Sequence, residues 1–230
     1  MKKILGPFLC LALLIWSFPA FALPSLQLDI GGGYYNTTGD PRYNDETIIS
    51  SGDVFTLYAL MEKGKYTSLD DTYSISMALF PHISLTSTSP NFGSFMFNGQ
   101  TIDVAEDMIY GNPGIPSHGV FDTYYHVYDF NFIAGNQVGK YNTQDNPGQF
   151  DKFYPGTGLY YAAFSVDTTN LSDDVSIHFD LFSNSKFAPF SHDADAQSDP
   201  PQIPEPATLL LLGFGLAGIV GLRRKLRNKE

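Results

Sequence analysis

The groups in this chain that are able to do chemistry are carboxylates and scattered histidines. His118, His126, His178 and His192 show no H-x-x-x-H or similar metal-ligand spacing. Ser–His neighbours at 117–118 and 191–192 do not indicate a catalytic triad, because triad members meet in space and not in sequence. The chain also has no G-x-S-x-G elbow, P-loop or dinucleotide fingerprint. The sequence therefore predicts no catalytic residue.

His178 alternates with Ile177 and Phe179 in "VSIHFDLFS". This alternation predicts that His178 and Asp180 share the outward face of a strand. The two side chains would form a hydrogen-bonded pair or a solvated pair, and catalysis is the least favoured of the three interpretations.

The aspartates suggest calcium, but no ligand set is complete. Asp193, Asp195 and Asp199 in "DADAQSD" imitate alternate oxygen ligands, yet the glycine and the bidentate glutamate of an EF-hand loop are missing. A solvated acidic linker is the favoured interpretation. The pairs 70–71 and 173–174 lie in turns beside strands, where structural calcium and turn capping by aspartate explain them equally well. The sequence predicts no cofactor and leaves structural calcium open.

Carbohydrate chemistry has two weak signals. Glycoside hydrolysis needs a carboxylate pair, and the glutamates of the central region are Glu46, Glu62 and Glu106. Tyrosine doublets at 34–35, 124–125 and 160–161 suggest a sugar-stacking platform. Neighbouring residues of a strand point to opposite faces, so each doublet is expected to supply one core ring and one surface ring.

These residues are positioned by short strands. Alternating β-branched and aromatic runs predict strands at 26–30, 54–62, 72–80, 124–133, 159–167 and 175–183, and Asn98-Gly99 predicts a tight hairpin turn. The predicted fold is all-β, an antiparallel β-sandwich over residues 23–190, with jelly-roll and Ig-like arrangements not distinguished. Residues 191–203 are predicted to form an acidic, proline-containing linker.

Charge separates the central region from the two ends. Between residues 23 and 204 there are six Lys or Arg and 22 Asp or Glu, a net charge of −16. This balance excludes nucleic acid as a partner, since phosphate contact needs clustered lysine and arginine. The single cysteine, Cys10, lies near the N-terminus, so the central region has no disulfide and depends on its hydrophobic core.

The N-terminus has the three parts of a signal peptide. Lys2 and Lys3 precede an apolar run, and Ala20 and Ala22 form an A-x-A site. We therefore expect export, with signal peptidase cleaving after Ala22. Residues 1–22 are predicted to be the signal peptide.

The C-terminus combines an uncharged stretch at 207–222 with a basic tail at 223–229. The stretch is shorter than the roughly 20 residues that cross a bilayer comfortably, and glycine recurs through it. Basic residues stay on the cytoplasmic side. We predict a short transmembrane helix that holds the precursor transiently in the inner membrane.

Residues 204–230 resemble the PEP-CTERM sorting signal of Gram-negative bacteria. Pro204, Glu205 and Pro206 precede the apolar stretch, and Arg223, Arg224 and Lys225 follow it. The resemblance implies processing near Pro-Glu-Pro by an exosortase, a membrane protease-transpeptidase. It also implies a surface or extracellular-matrix protein of a bacterium that makes exopolysaccharide.

Phrases of the central region, "YNTQDNPG", "GLYYAAFSVDTT" and "FAPFSHDADAQS", are similar to the choice-of-anchor N family of bacterial surface proteins. This resemblance implies a surface domain and offers no catalytic residues. The sequence as a whole predicts a non-enzymatic exported protein, with exopolysaccharide as a potential partner. The alternatives are a carbohydrate-binding module and a secreted hydrolase acting on polysaccharide.

Overall fold

The computed structural model describes residues 24–35, 47–85, 91–116, 119–150, 155–189 and 194–196. The predicted signal peptide with Ala20 and Ala22, the sorting signal at 204–230, and His118, His192, Asp193, Asp199 and Glu46 lie outside these residues. Thirteen strands are present in the described ranges. They are β1 Leu26–Ile30, β2 Tyr34–Tyr35, β3 Ile48–Ile49, β4 Val54–Met61, β5 Tyr73–Phe80, β6 Ser94–Phe97, β7 Gln100–Asp103, β8 Ile109–Gly111, β9 Thr123–Phe130, β10 Gln137–Val138, β11 Leu159–Asp167, β12 Ser176–Ser183 and β13 Ala194–Ala196.

The strands form two sheets that share one core. Sheet A has the order β1-β4-β11-β6-β7, with β10 also paired to β11, and sheet B has the order β2-β3-β13-β12-β5-β9-β8. Every pairing is antiparallel except that of β13 with β3. The predicted all-β sandwich is confirmed.

Alternation places one face of each long strand in the shared core. On β4 the core-facing residues run from Phe55 to Met61 in steps of two, and β5, β11 and β12 follow the same rule. Phe97 stacks at 5.3 Å from Phe164 and 6.3 Å from Phe179, so rings from both sheets meet at the centre. Because the core is apolar and aromatic, it supplies stability without a disulfide.

The predicted hairpin turn joins β6 and β7. Asn98 and Gly99 have φ angles of 49° and 82°, and Phe97 pairs with Gln100 across the turn. A two-residue turn with both φ angles positive has the type I′ geometry that suits twisted strands. The Asn-Gly prediction is confirmed.

The outer faces of both sheets are also partly covered. Tyr141 and Phe150, from the loop after β10, pack on Leu60 and Leu159 of sheet A. Val120, from the loop before β9, packs on Ala78 and Tyr125 of sheet B. Some side chains that alternate away from the core, such as Leu60 and Ala78, therefore reach a second layer instead of solvent.

The predicted linker begins too early. Ala194–Ala196 form β13, which pairs with β12 on one side and with β3 on the other, and all three residues are buried. The sandwich therefore extends beyond residue 190 to at least Ala196. The acidic composition suggested a solvated segment, but Asp195 is buried in the sheet because His178 lies opposite it.

Candidate functional site

Three polar side chains meet on the outer face of sheet B. His178 Nδ1 donates to Asp195 Oδ1 at 2.6 Å, and His178 Nε2 lies 3.4 Å from Asp180 Oδ1. His178 and Asp195 are opposite residues in the β12–β13 register, and Asp180 follows on the same face of β12. The arrangement is a histidine between two carboxylates, which we call the histidine cluster.

The histidine cluster carries charge in the interior. Burial by itself lowers the pKa of His178, but the charges of Asp195 and Asp180 and their hydrogen bonds outweigh it and hold that pKa well above 6.5. The two carboxylates therefore favour the protonated, imidazolium form of His178. Its exposed fraction is 4%, with 5% for Asp180 and 3% for Asp195. A general base needs a free nitrogen and access to substrate, and His178 has neither.

The sequence correctly predicted which face of the strand carries His178, but it did not predict that this face is buried. His178 and Asp180 do share the face opposite Ile177 and Phe179, and they do contact each other. They are buried, so the interpretation as a solvated pair is wrong. The missing information was the position of β13, whose Asp195 comes from a segment 17 positions away in sequence.

His126 lies elsewhere and has a structural contact. Its Nδ1 donates to the carbonyl oxygen of Asp107 at 2.9 Å, which connects β9 to the turn after β7. The described histidines at 126 and 178 are therefore both engaged by other parts of the fold.

A buried carboxylate outside the histidine cluster, that of Asp29, organises the loop over sheet A. Asp29 Oδ1 accepts hydrogen bonds from the backbone N–H of Gly148 at 2.8 Å and of Ile30 at 2.9 Å. Its Oδ2 lies 2.6 Å from the Tyr141 hydroxyl and accepts the N–H of Phe150 at 3.2 Å. Asp29 thereby holds both ends of residues 141–150 on the outer face of β1.

Gln27, two residues before Asp29 on β1, also holds the loop at 141–150. Its amide nitrogen donates to the Tyr141 carbonyl at 3.1 Å, and its amide oxygen accepts the N–H of Thr143 at 2.9 Å. Both Gln27 and Asp29 are fully buried. Buried polar groups must find partners, and here the partners are the backbone of a loop that is otherwise remote in sequence.

Burial raises the pKa of Asp29 from 3.8 to about 6, against the lowering effect of hydrogen bonds from Tyr141, Gly148, Phe150 and Ile30. The geometry around Tyr141 explains how a neutral acid is accommodated. The Tyr141 hydroxyl also contacts the carbonyl oxygen of Asn146, and it has a single proton to donate. A protonated Asp29 donates to Tyr141 while Tyr141 donates to Asn146.

An open cleft lies where the β6–β7 hairpin meets the turn after β11. It has a volume of about 320 Å³ and is lined by Asn91, Gly93, Ser94, Asp103, Val104, Glu106 and Asn170. We call it the polar cleft. Its floor is fixed by backbone hydrogen bonds from Ser94 to Asn170 and from Val104 to Gly93, of 3.2 and 3.0 Å.

The polar cleft requires glycine at its floor. Gly93 has φ of 81°, and a Cβ there would lie 2.1 Å from the carbonyl oxygen of Asn170. The lining side chains offer two carboxylates, two amides and a hydroxyl. These groups suit a ligand rich in hydroxyl groups, because each hydroxyl both donates and accepts. The sequence did not indicate this site, since its residues come from turns far apart in the chain.

The predicted aspartate pair at 70–71 stabilises its own turn. Asp71 Oδ2 accepts the N–H of Ser68 at 2.9 Å, and Asp70 Oδ2 lies 3.4 Å from the Ser68 hydroxyl. Asp173 and Asp174 are exposed in the turn before β12. Asp195 is engaged by His178. Within the described ranges, no group of three or more His, Cys, Asp or Glu side chains is placed to hold a metal ion.

The tyrosine doublets point to opposite faces as predicted, but the outward rings are not exposed platforms. Tyr124 lies in the main core and Tyr125 lies in the outer cluster under Val120. Tyr160 and Tyr161 divide in the same way between the main core and the layer with Phe150. The expectation of a surface ring is wrong at 124–125, because Tyr125 is buried beside Val120. At 160–161 the outer ring, Tyr161, is half-buried against Phe150.

The two described glutamates do not form a carboxylate pair. Glu62 follows β4 at the end where β11 begins, whereas Glu106 follows β7 beyond the other end of β11. Glu106 does share the polar cleft with Asp103. No helix in the described part of the chain is long and apolar enough to cross a membrane.

Comparison with known proteins identifies the C-terminal segment. Residues 202–225 match the family model described as the PEP-CTERM protein-sorting motif. The match includes Pro204, Glu205 and Pro206 and ends at Lys225, so it also covers Arg223 and Arg224. No curated protein and no solved structure matches the chain. No comparison supports the resemblance of the central region to the choice-of-anchor N family.

The motif implies an exported protein with a membrane-anchored precursor that an exosortase processes. The separate contributions of Pro204, Glu205 and the arginines to processing stay predictions, as does cleavage after Ala22.

Proposed function

We propose that this protein is a non-enzymatic surface or matrix protein, delivered by exosortase sorting and associated with exopolysaccharide outside the cell. The sorting motif at residues 202–225 is the observation that carries the proposal. It is joined to an acidic β-sandwich, whose apolar and aromatic core stabilises the fold without a cysteine in the described residues.

The geometry of His178 supports a non-enzymatic role. His178 is buried with both ring nitrogens facing carboxylates, so it is not placed to activate a nucleophile or a water molecule at an accessible surface.

Intact-mass measurement of surface-recovered protein tests the delivery. We expect a mature form that begins at Leu23 and lacks residues 223–230. Replacing Glu205 and Pro206 with alanine should keep a longer form in the inner membrane, whereas replacing Asp129, an exposed residue of β9, with asparagine should not. A surface form that still contains Lys229 would show that the tail is a permanent anchor.

A second candidate function is carbohydrate binding at the polar cleft. The cleft volume of about 320 Å³ falls at the small end of ligand sites, large enough for a sugar unit. Its carboxylates, and the acidic surface around it, favour neutral or amino sugars over anionic ones.

A panel of soluble neutral, amino and anionic oligosaccharides tests this candidate by calorimetry. Binding that Asn170→Ala weakens about tenfold or more would support it, because a lost pair of hydrogen bonds costs about 1–3 kcal/mol. Asp129→Asn is the matched control. Turnover of released exopolysaccharide that Glu106→Gln abolishes would instead establish the hydrolase alternative, with Asp103 and Glu106 as the acidic pair.

A further inference from the structure

The last described strand is inserted in the middle of sheet B and not at its edge. β13 lies between β12, to which it is antiparallel, and β3, to which it is parallel. It has three residues, and its two core-facing side chains are the small Ala194 and Ala196. Burying alanine contributes little compared with the Ile177 and Phe179 that it faces.

The outward residue of β13 makes the strong contact. Asp195 Oδ1 accepts from His178 Nδ1 at 2.6 Å, and the backbone carbonyl of Asp195 accepts the N–H of Ser50 at 3.0 Å. A charge-assisted hydrogen bond of this length, buried from water, is stronger than a neutral one. The contact with His178 is therefore the main side-chain interaction that holds β13 in sheet B.

β13 also joins other parts of the fold. Within the described pairings, β3 and β2 attach to sheet B through β13 alone. Toward the C-terminus, seven residues, 197–203, separate Ala196 from Pro204, a span of no more than about 25 Å when fully extended. The position of β13 thus fixes how far the sorting motif reaches from the folded domain.

We propose that β13 is a C-terminal strap held in sheet B by the buried Asp195–His178 contact. Losing this contact frees the chain end that carries the sorting motif while the rest of the sandwich stays folded. The inference rests on the described sheet geometry and would stand even if the matrix role proved wrong.

The strap responds to pH through the groups that face His178. These are Asp195 from β13 and Asp180 from β12, with Tyr34 and Tyr125 in the same cross-strand row on β2 and β9. β5 and β3 contribute Ala78 and Ile49 to that row, which do not titrate. The pKa of His178 is higher in the folded chain than its ordinary value of 6.5. The attraction between His178 and the two aspartates is therefore complete below pH 6.5, and it is lost as the pH rises through the pKa of His178 in the folded chain.

Hydrogen exchange of the full chain in detergent micelles tests the strap. We expect Asp195→Asn to lower the protection factors of residues 194–196, and of 47–50 beside them, by about tenfold or more. The amides of β4 and β11 in sheet A should change by less than about twofold. Raising the pH of the wild-type chain from about 7 to about 10 should give the same selective loss, and His178→Asn should remove this pH response.

Asp129→Asn is the control, because it removes an aspartate charge from an exposed position of sheet B. The proposal is overturned if residues 194–196 keep their protection in Asp195→Asn and at alkaline pH. It is equally overturned if they lose protection only together with β4 and β11, since that would be global unfolding. Should Asp195→Asn fail to fold, the wild-type pH series decides alone between these outcomes.

Discussion

The buried carboxylate of Asp29 predicts an inverted pH dependence for part of the stability. Most aspartates in folded proteins are stabilised as anions, but burial raises the pKa of Asp29 from 3.8 to about 6. Between these values the folded chain retains a proton that the unfolded chain has lost. The contribution of Asp29 to the free energy of unfolding therefore falls as pH rises through this window, and it stays low above it.

The size of the effect follows from the shift. A rise from 3.8 to about 6, at 1.36 kcal/mol per pKa unit, corresponds to about 3 kcal/mol. Asp29→Asn resembles the protonated acid and does not titrate. The difference in unfolding free energy, wild type minus Asp29→Asn, should therefore decrease by about 3 kcal/mol between about pH 3 and about pH 7.

Urea denaturation of residues 23–203 at a series of pH values measures this difference, and the subtraction cancels the groups that both variants share. The same subtraction with Asp129→Asn, an exposed residue, should vary by no more than about 0.5 kcal/mol. A constant difference for Asp29→Asn would refute the reasoning. A difference that increases with pH would show that the four hydrogen bonds outweigh burial and hold Asp29 as an anion.

Three further predictions concern the fold. Gly148→Ala should destabilise by more than about 2 kcal/mol in urea denaturation, because φ is +70° and a Cβ would lie 1.8 Å from the carbonyl oxygen of Gly33. Gly52→Ala, with open space around it, should change stability by less than about 1 kcal/mol; equal effects at both glycines would contradict the close approach. Phe179→Ala should cost about 3–5 kcal/mol, against less than about 1 kcal/mol for the exposed Tyr66→Ala. Residues 23–198 should show a β-sheet circular dichroism spectrum that strong reductant leaves unchanged, and a helical spectrum would refute the sandwich.

The long strands could be predicted because their local pattern and their environment agree. Val54–Met61, Leu159–Asp167 and Ser176–Ser183 each place alternate residues in one apolar core. The alternation of apolar and polar residues along a strand reliably shows which residues share a face. The hairpin turn at Asn98-Gly99 could also be predicted from local sequence, because this dipeptide favours the two positive φ angles that the turn requires.

The short strands and the second layers could not be predicted in the same way. β2, β3 and β10 have two residues each and are too short to show a period. Asp29 begins as one polar residue in "LQLDI", and nothing beside it in sequence indicates that residues 141–150 will cover it. The polar cleft also depends on long-range pairing, because Asn170 reaches Gly93 only when β11 pairs with β6.

Asp29 and Asp195 show why the outer faces matter for this protein. Both Asp29 and Asp195 alternate away from the core, where a two-layer sandwich would leave them in water. Each instead attaches a remote segment to its sheet: Asp29 holds the loop at 141–150, and Asp195 connects the last described strand to His178. The Asp195–His178 contact joins two buried charged groups, and removing one partner of such a contact is strongly destabilising because the other charge is left uncompensated. At β13 that penalty falls on the last described strand, so its pairing with β12 depends on one histidine.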